Sequence, residues 1–169
     1  MSMTSSATTK VTLPSDTEIL ITREFDAPRD LVFKAMTDPD LIPRWWGPHK
    51  YQTIVEKMDF RPGGKWVFVN KGESGTFRFY GEYKEIVVPE KVVQTIAFSE
   101  EGQADAAEGD MGLSTYTFSE RAGRTYFVER SLFPSKEARD GALQSGMEQG
   151  ARETYARLDE LIAELTKAA

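Results

Sequence analysis

No cysteine occurs among the 169 residues, which excludes disulfides, thiolate metal sites and cysteine nucleophiles and suits a reducing compartment. A single histidine, His49, leaves no means of building a His-rich metal centre or a two-histidine acid/base pair. Lys and Arg number 21 against 27 Asp and Glu, a formal net charge of −6. Without a basic cluster, that balance argues against a nucleic-acid partner, whose phosphates are bound by grouped Lys and Arg. No apolar run reaches the roughly 18 residues that a membrane span needs, and MSMTSSATTK lacks the apolar stretch of a secretory signal. The expected location is cytoplasmic. No nucleotide, flavin or metal signature is present, and no cofactor is expected; Gly63-Gly64 lacks the following helix and Lys/Ser of a phosphate loop and reads as a turn.

What is present is one domain's worth of patterned sequence; a chain of about 150 residues buries roughly 68–70% of the surface its unfolded form exposes. Residues 1–16, rich in Ser and Thr, read as a flexible leader, and residues 17–169 as a single domain. Ile19, Ile21 and Phe25 share one parity, which suits a half-buried strand. Asp26-Ala27-Pro28 then starts a helix with Leu31, Val32, Ala35 and Met36 on its apolar side, and Asp38-Pro39 starts a second short one that Gly47-Pro48 stops. From Tyr51 to Leu132, strands alternate with Gly, Pro and charged turns, the pattern of an antiparallel meander. Between Ser99 and Gly112 lie Glu100, Glu101, Asp105, Glu108 and Asp110 with no base, which predicts a mobile loop at one rim of the sheet.

The C-terminal stretch carries two helix starts, Ser135 after Pro134, and Ser145 with Glu148 at capping-box spacing. In the longer helix Met147, Ala151, Thr154, Leu158, Leu161 and Leu165 fall on one face, with Glu148–Arg152 and Glu153–Arg157 as i,i+4 pairs on the solvated side. Helices segregated from a run of strands define an α+β fold: a curved antiparallel sheet of about seven strands wrapped on a long C-terminal helix, with two short helices after the first strand. Gly146, Gly150 and Ala151 make the start of the long helix thin, leaving room for close packing or for a ligand. The aromatics of matching parity, Trp66, Phe68, Phe77, Phe79, Tyr116 and Phe118, are candidates for a pocket wall, the alternative being plain core packing. Trp45 and Trp46 are candidates to cap its mouth or to close the core, and Met147, Ala151 and Thr154 supply the helix side. Arg44 and Arg130 offer positive charge for a ligand headgroup, yet Glu129-Arg130 reads first as an ion pair on a strand, and a lone His49 as a loop residue.

Five stretches in order, Phe25-Asp26-Ala27-Pro28 with Val32-Phe33, Pro43-Arg44-Trp45-Trp46-Gly47, Asp59-Phe60-Arg61-Pro62-Gly63-Gly64, Phe79-Tyr80-Gly81-Glu82-Tyr83 and the terminal helix, resemble the START-like, helix-grip superfamily called SRPBCC. Within it they look most like the branch named after the activator of the heat-shock protein 90 ATPase. The resemblance implies a curved seven-stranded sheet gripping the last helix over an apolar cavity, and it brings a chaperone partner and a stress-response role into view. Many relatives carry Trp where Met147 stands, and Met is the more adaptable wall residue. Fold alone does not give function. The expected function is non-catalytic binding of a hydrophobic small molecule, lipid-like or aromatic, between sheet and helix, with Trp45, Trp46, Trp66, Phe68, Phe77, Phe79, Tyr116, Phe118, Met147, Ala151 and Thr154 around it. The alternatives are a co-chaperone-like interaction module and a cyclase- or hydrolase-type enzyme acting on an apolar substrate. A polar group of shifted pKa inside the cavity favours the enzyme, and an all-apolar lining counts against it.

Overall fold

A computed structural model describes residues 9–100 and 102–168. Its strands are β1 (Lys10–Thr12), β2 (Glu18–Phe25), β3 (Gln52–Met58), β4 (Lys65–Gly72), β5 (Gly75–Val87), β6 (Lys91–Glu100), β7 (Gly112–Arg121) and β8 (Arg124–Leu132). They form one eight-stranded sheet in the order β1-β2-β8-β7-β6-β5-β4-β3, antiparallel throughout. Three helices, α1 (Arg29–Thr37), α2 (Lys136–Gln144) and α3 (Met147–Ala168), complete the α+β fold. The strand beyond the expected seven is β1, which lies inside the stretch read as a leader: Val11 pairs with Ile21, and Thr9 is buried against Arg23. Three residues carry too little periodicity to register as a strand.

The sheet's inner face follows the period of two. Ile19, Ile21 and Phe25 on β2, and Thr125, Phe127 and Ser131 on β8, are all buried, and the chain alternates outward between them. Curvature comes from bulges between Val55 and Lys57 and between Tyr83 and Glu85, each adding local twist. Gly81 serves the second bend: a Cβ there would stand 1.9 Å from the Thr95 carbonyl oxygen, so only glycine lets β5 approach β6 so closely. α3 lies on the concave face and buries Tyr155, Leu158, Leu161 and Ile162.

Four local expectations are corrected. The second short helix is a single 3-10 turn at Ile42–Arg44, with proline inside it. Ser145 does not cap α3; it ends α2, where its hydroxyl donates to the Ala142 carbonyl, and Ser135 caps the start of α2 by accepting from the Ala138 amide. Glu153 and Arg157 do not pair with each other, although Glu148 and Arg152 do, at 2.9 Å. At Asp105, Ala106 and Met111 the acidic stretch meets the outer face of the sheet: Asp105 meets Arg78 at 2.5 Å, the Ala106 amide donates to the Tyr80 hydroxyl, and Met111 packs on Val67, Val69 and Tyr80.

Candidate ligand-binding cavity

Between the concave face of the sheet and the first turns of α3 lies a cavity of about 280 Å³, at the lower edge of the roughly 300–1,000 Å³ usual for small-molecule sites. Its helix side is Met147, Gly150, Ala151, Thr154 and Tyr155, small or flexible residues except for the last. The sheet contributes Phe68, Phe79, Val92, Ile96, Tyr116 and Phe118 among others, and the segment after α1 contributes Trp45, Trp46, Gly47 and Pro48. Most of these surfaces are apolar carbon, so an apolar body inside the space is favoured over water by roughly 25 cal/mol per Å² it buries.

Most of the residues singled out above therefore meet here: Trp45, Trp46, Phe68, Phe79, Tyr116, Phe118, Met147, Ala151 and Thr154 all line the space. Trp66 and Phe77 do not. Trp66 is 1% exposed and packs beside Phe68 on the same face of β4, ring centres 4.9 Å apart, outside the lining. Phe77 lies farther along β5, edge-to-face with Tyr51 at 5.8 Å. Parity puts a side chain on a face but says nothing of how far along the strand the cavity extends.

The Trp46-Gly47-Pro48 rim is pinned from two sides. Thr53 donates its hydroxyl to the Trp46 carbonyl at 2.6 Å, and is itself tied to Asn70 at 2.8 Å. From α3, Arg157 donates to the Gly47 carbonyl at 2.5 Å, and Glu153 accepts the His49 amide at 2.5 Å. This is where the two charges expected to pair with each other are spent. Gly47 has φ +85°, and a Cβ there would press on the Asn70 amide at 2.9 Å, so the rim needs glycine on both counts. Trp46 then stands edge-on to Phe68 and Phe79, at 5.2 and 4.9 Å. Trp45 donates its indole N–H to the Ala35 carbonyl at 2.9 Å and stacks on Tyr155, serving wall and core together.

One lining residue was read differently from sequence. Glu129 points into the cavity and accepts a hydrogen bond from the Tyr155 hydroxyl, while Arg130, one residue on, reaches the opposite face and pairs with Glu18 at 2.6 Å. Arg44 is likewise engaged outside, with Glu164 at 2.7 Å. Burial raises the Glu129 carboxyl above the ordinary glutamate range, against the hydrogen bonds from Tyr155 and Ser131. Burial also raises the phenols of Tyr155, Tyr116 and Tyr83, which remain neutral at physiological pH. Sequence carried a signal for Glu129, since it shares the parity of Phe127 and Ser131; tying it to its neighbour Arg130 obscured that. Among the described residues no group of three or more His, Cys, Asp or Glu side chains is placed to hold a metal ion, and no helix is long and apolar enough to cross a membrane.

An eight-stranded sheet curved over a terminal helix, with an apolar space held open at the thin end of that helix, defines a helix-grip protein. The chain belongs to the family described as activator of Hsp90 ATPase homolog 1-like proteins, which it matches over residues 26–163. Among solved structures it is similar to a protein of Arthrobacter aurescens, at 27% identity over 92% of this chain and 91% of that one, with a TM-score of 0.83. A protein of Mycobacterium smegmatis is 27% identical over 90% and 94% of the two chains, TM-score 0.81. One from Rhodobacter sphaeroides shares the fold at 22% identity over 93% and 99%, TM-score 0.82. No curated protein sequence matches the chain.

Proposed function

We propose that this protein binds a hydrophobic small molecule, aromatic or lipid-like, in the cavity between the sheet and the start of α3. The observation that carries this is the space itself: about 280 Å³ bounded mainly by aromatic and aliphatic side chains, where α3 presents Gly150 and Ala151 to the sheet. An apolar ligand that fills this space takes its own surface and that of the walls out of water, at roughly 25 cal/mol per Å² buried. The reading includes a cytoplasmic location, which the cysteine-free sequence suits. Native mass spectrometry of protein purified gently from its own host's lysate tests it. A defined adduct that releases an apolar compound on denaturation is the expected result. A clean mass, with no apolar compound from a broad panel raising the melting temperature, overturns it.

A second reading is an enzyme of the cyclase or hydrolase type acting on an apolar substrate in the same space. It is favoured by one observation, the Glu129 carboxyl with raised pKa beside Tyr155 and inside the cavity. Conversion of the released compound by fresh protein, lost in Glu129→Gln, separates it from simple binding. A chaperone-contacting role is the third reading; it requires an exposed apolar or acidic patch on the outer sheet face, and a pull-down with the chaperone that returns nothing overturns it.

A further inference from the structure

The polar groups of the cavity are not scattered. Across the sheet, Ile21 pairs with Glu129, Glu129 with Tyr116 and Tyr116 with Val92, so one concave row crosses β2, β8, β7 and β6. In the next row Ser131 pairs with Ser114, Ser114 with Gln94 and Gln94 with Tyr83. The hydroxyl of Tyr155 reaches down from α3 to Glu129 Oε1, and Ser131 touches Glu129 Oε2 at 3.5 Å. Two other polar lining residues are occupied elsewhere, Asn70 by Thr53 and Thr37 by the Phe33 carbonyl. The result is a mainly apolar chamber, with Thr154 adding a hydroxyl from α3, and Glu129 is the only Asp, Glu, Lys, Arg or His among the residues that line it.

A carboxyl has about four acceptor sites when ionised, and one donor with the remaining acceptor sites when protonated. Tyr155 fills one, and Ser131 sits at the distance limit for a second. No cation of the described residues makes an ion pair with Glu129, and no positive charge acts on its ionisation. The carboxyl is part-buried at the cavity wall with one hydrogen bond to each oxygen, so its remaining acceptor sites are open to a donor inside the chamber. A ligand that lays its apolar body against Trp46, Phe68 and Phe79 has its other end free to donate to them.

We infer that the Glu129 pole selects the headgroup of the ligand: an apolar body carrying one hydrogen-bond donor, a hydroxyl or an ammonium, and not a carboxylate. This rests on the cavity-binding reading above and sharpens it. A donor head completes the acceptor sites that the protein leaves open. An ammonium is met in addition by the aromatic faces lining the chamber. An anionic head lies against a second carboxyl with no cation beside it and stays only by sharing a proton with it, which ranks free fatty acids and aryl carboxylates below donor-headed ligands.

Equilibrium dialysis at neutral pH with four compounds that share one ring system tests this: 2-naphthylmethanol, 2-naphthylmethylamine, 2-methylnaphthalene and 2-naphthoate. The expected order has the alcohol or the amine at least about tenfold tighter than the hydrocarbon, and the carboxylate weakest. An amine tighter than the alcohol identifies an ion pair as the anchor; the reverse identifies a neutral hydrogen bond. In Glu129→Leu the alcohol and amine should fall to the affinity of the hydrocarbon. In Glu129→Gln, which keeps the shape and one acceptor, the amine should lose more than the alcohol and the carboxylate should gain. Equal affinities of all four compounds for the wild-type protein, or a carboxylate that binds best, overturn the inference while leaving the cavity reading standing. An unchanged order in Glu129→Gln overturns it too, whether or not Glu129→Leu folds. Failure of all four to bind removes the cavity reading and the inference with it.

Discussion

The two halves of α3 face the same sheet and do opposite things. In the C-terminal half Leu158, Leu161 and Ile162 are buried on the concave face, and Asp159 meets the buried Arg23 of β2 at 3.4 Å, closing sheet onto helix. In the N-terminal half the residues toward the sheet are Met147, Gly150, Ala151 and Thr154, and the sheet does not close. Side-chain volume on one helix face sets where the core ends and the cavity begins. Tyr155 marks the boundary, its ring against Phe25, Phe127 and Trp45 and its hydroxyl on Glu129.

That contrast breaks most severely at Leu158, which is fully buried. Leu158→Ala should cost about 2–5 kcal/mol, because deletion in a closed core leaves a void, and urea denaturation should show it as a lower midpoint at unchanged slope. The same kind of change of size in the other half should act on binding instead. Ala151→Phe fills the chamber and should lower affinity for an apolar probe at least about tenfold while changing stability by less than about 1.5 kcal/mol. A loss of stability like that of Leu158→Ala would mean the two halves are packed alike.

The pole of the chamber sharpens the contrast through pH. Burial raises the Glu129 carboxyl above its value in the unfolded chain, so the folded state holds a proton that the unfolded chain has released. Its contribution to stability is full below the ordinary glutamate range and is lost as pH rises through the folded value. Glu18, Glu82 and Asp140, lowered by hydrogen bonds from Arg130, Lys65 and Lys136, slope the other way at more acid pH. Subtracting the Glu129→Gln stability curve from that of the wild type isolates the falling limb; parallel curves would place Glu129 in contact with solvent.

Smaller effects belong to the rim and the outer surface. Arg157→Ala removes the bond to the Gly47 carbonyl and should cost about 1 kcal/mol, with faster ligand exchange as Trp46 loosens, read by stopped-flow Trp fluorescence. Arg44→Ala breaks an exposed pair with Glu164 and should change stability by less than about 0.5 kcal/mol.

Much of this architecture was legible in the residues. The four-three spacing of apolar residues in α3 marked its buried stripe, and the meander of aromatic strands marked the sheet. Tyr155 escaped because the stripe passes through Thr154, and a helix face wide enough to meet a curved sheet takes in both. Glu129 escaped because neighbours of opposite charge suggest a pair, whereas adjacent strand residues point to opposite faces and cannot form one there. Ser145 escaped because capping-box spacing does not distinguish the end of one helix from the start of the next when a single glycine separates them.

By itself the sequence determined which face of each element is apolar, where the chain must turn, and that the last helix begins thin, since periodicity, turn chemistry and side-chain size are local properties. Only the tertiary structure decided that the space at that thin end stays open, that Trp66 and Phe77 fall outside it, and that Glu129 with Tyr155 forms a polar pole in it. Those outcomes depend on strand register and sheet curvature, which bring residues distant in sequence to one point.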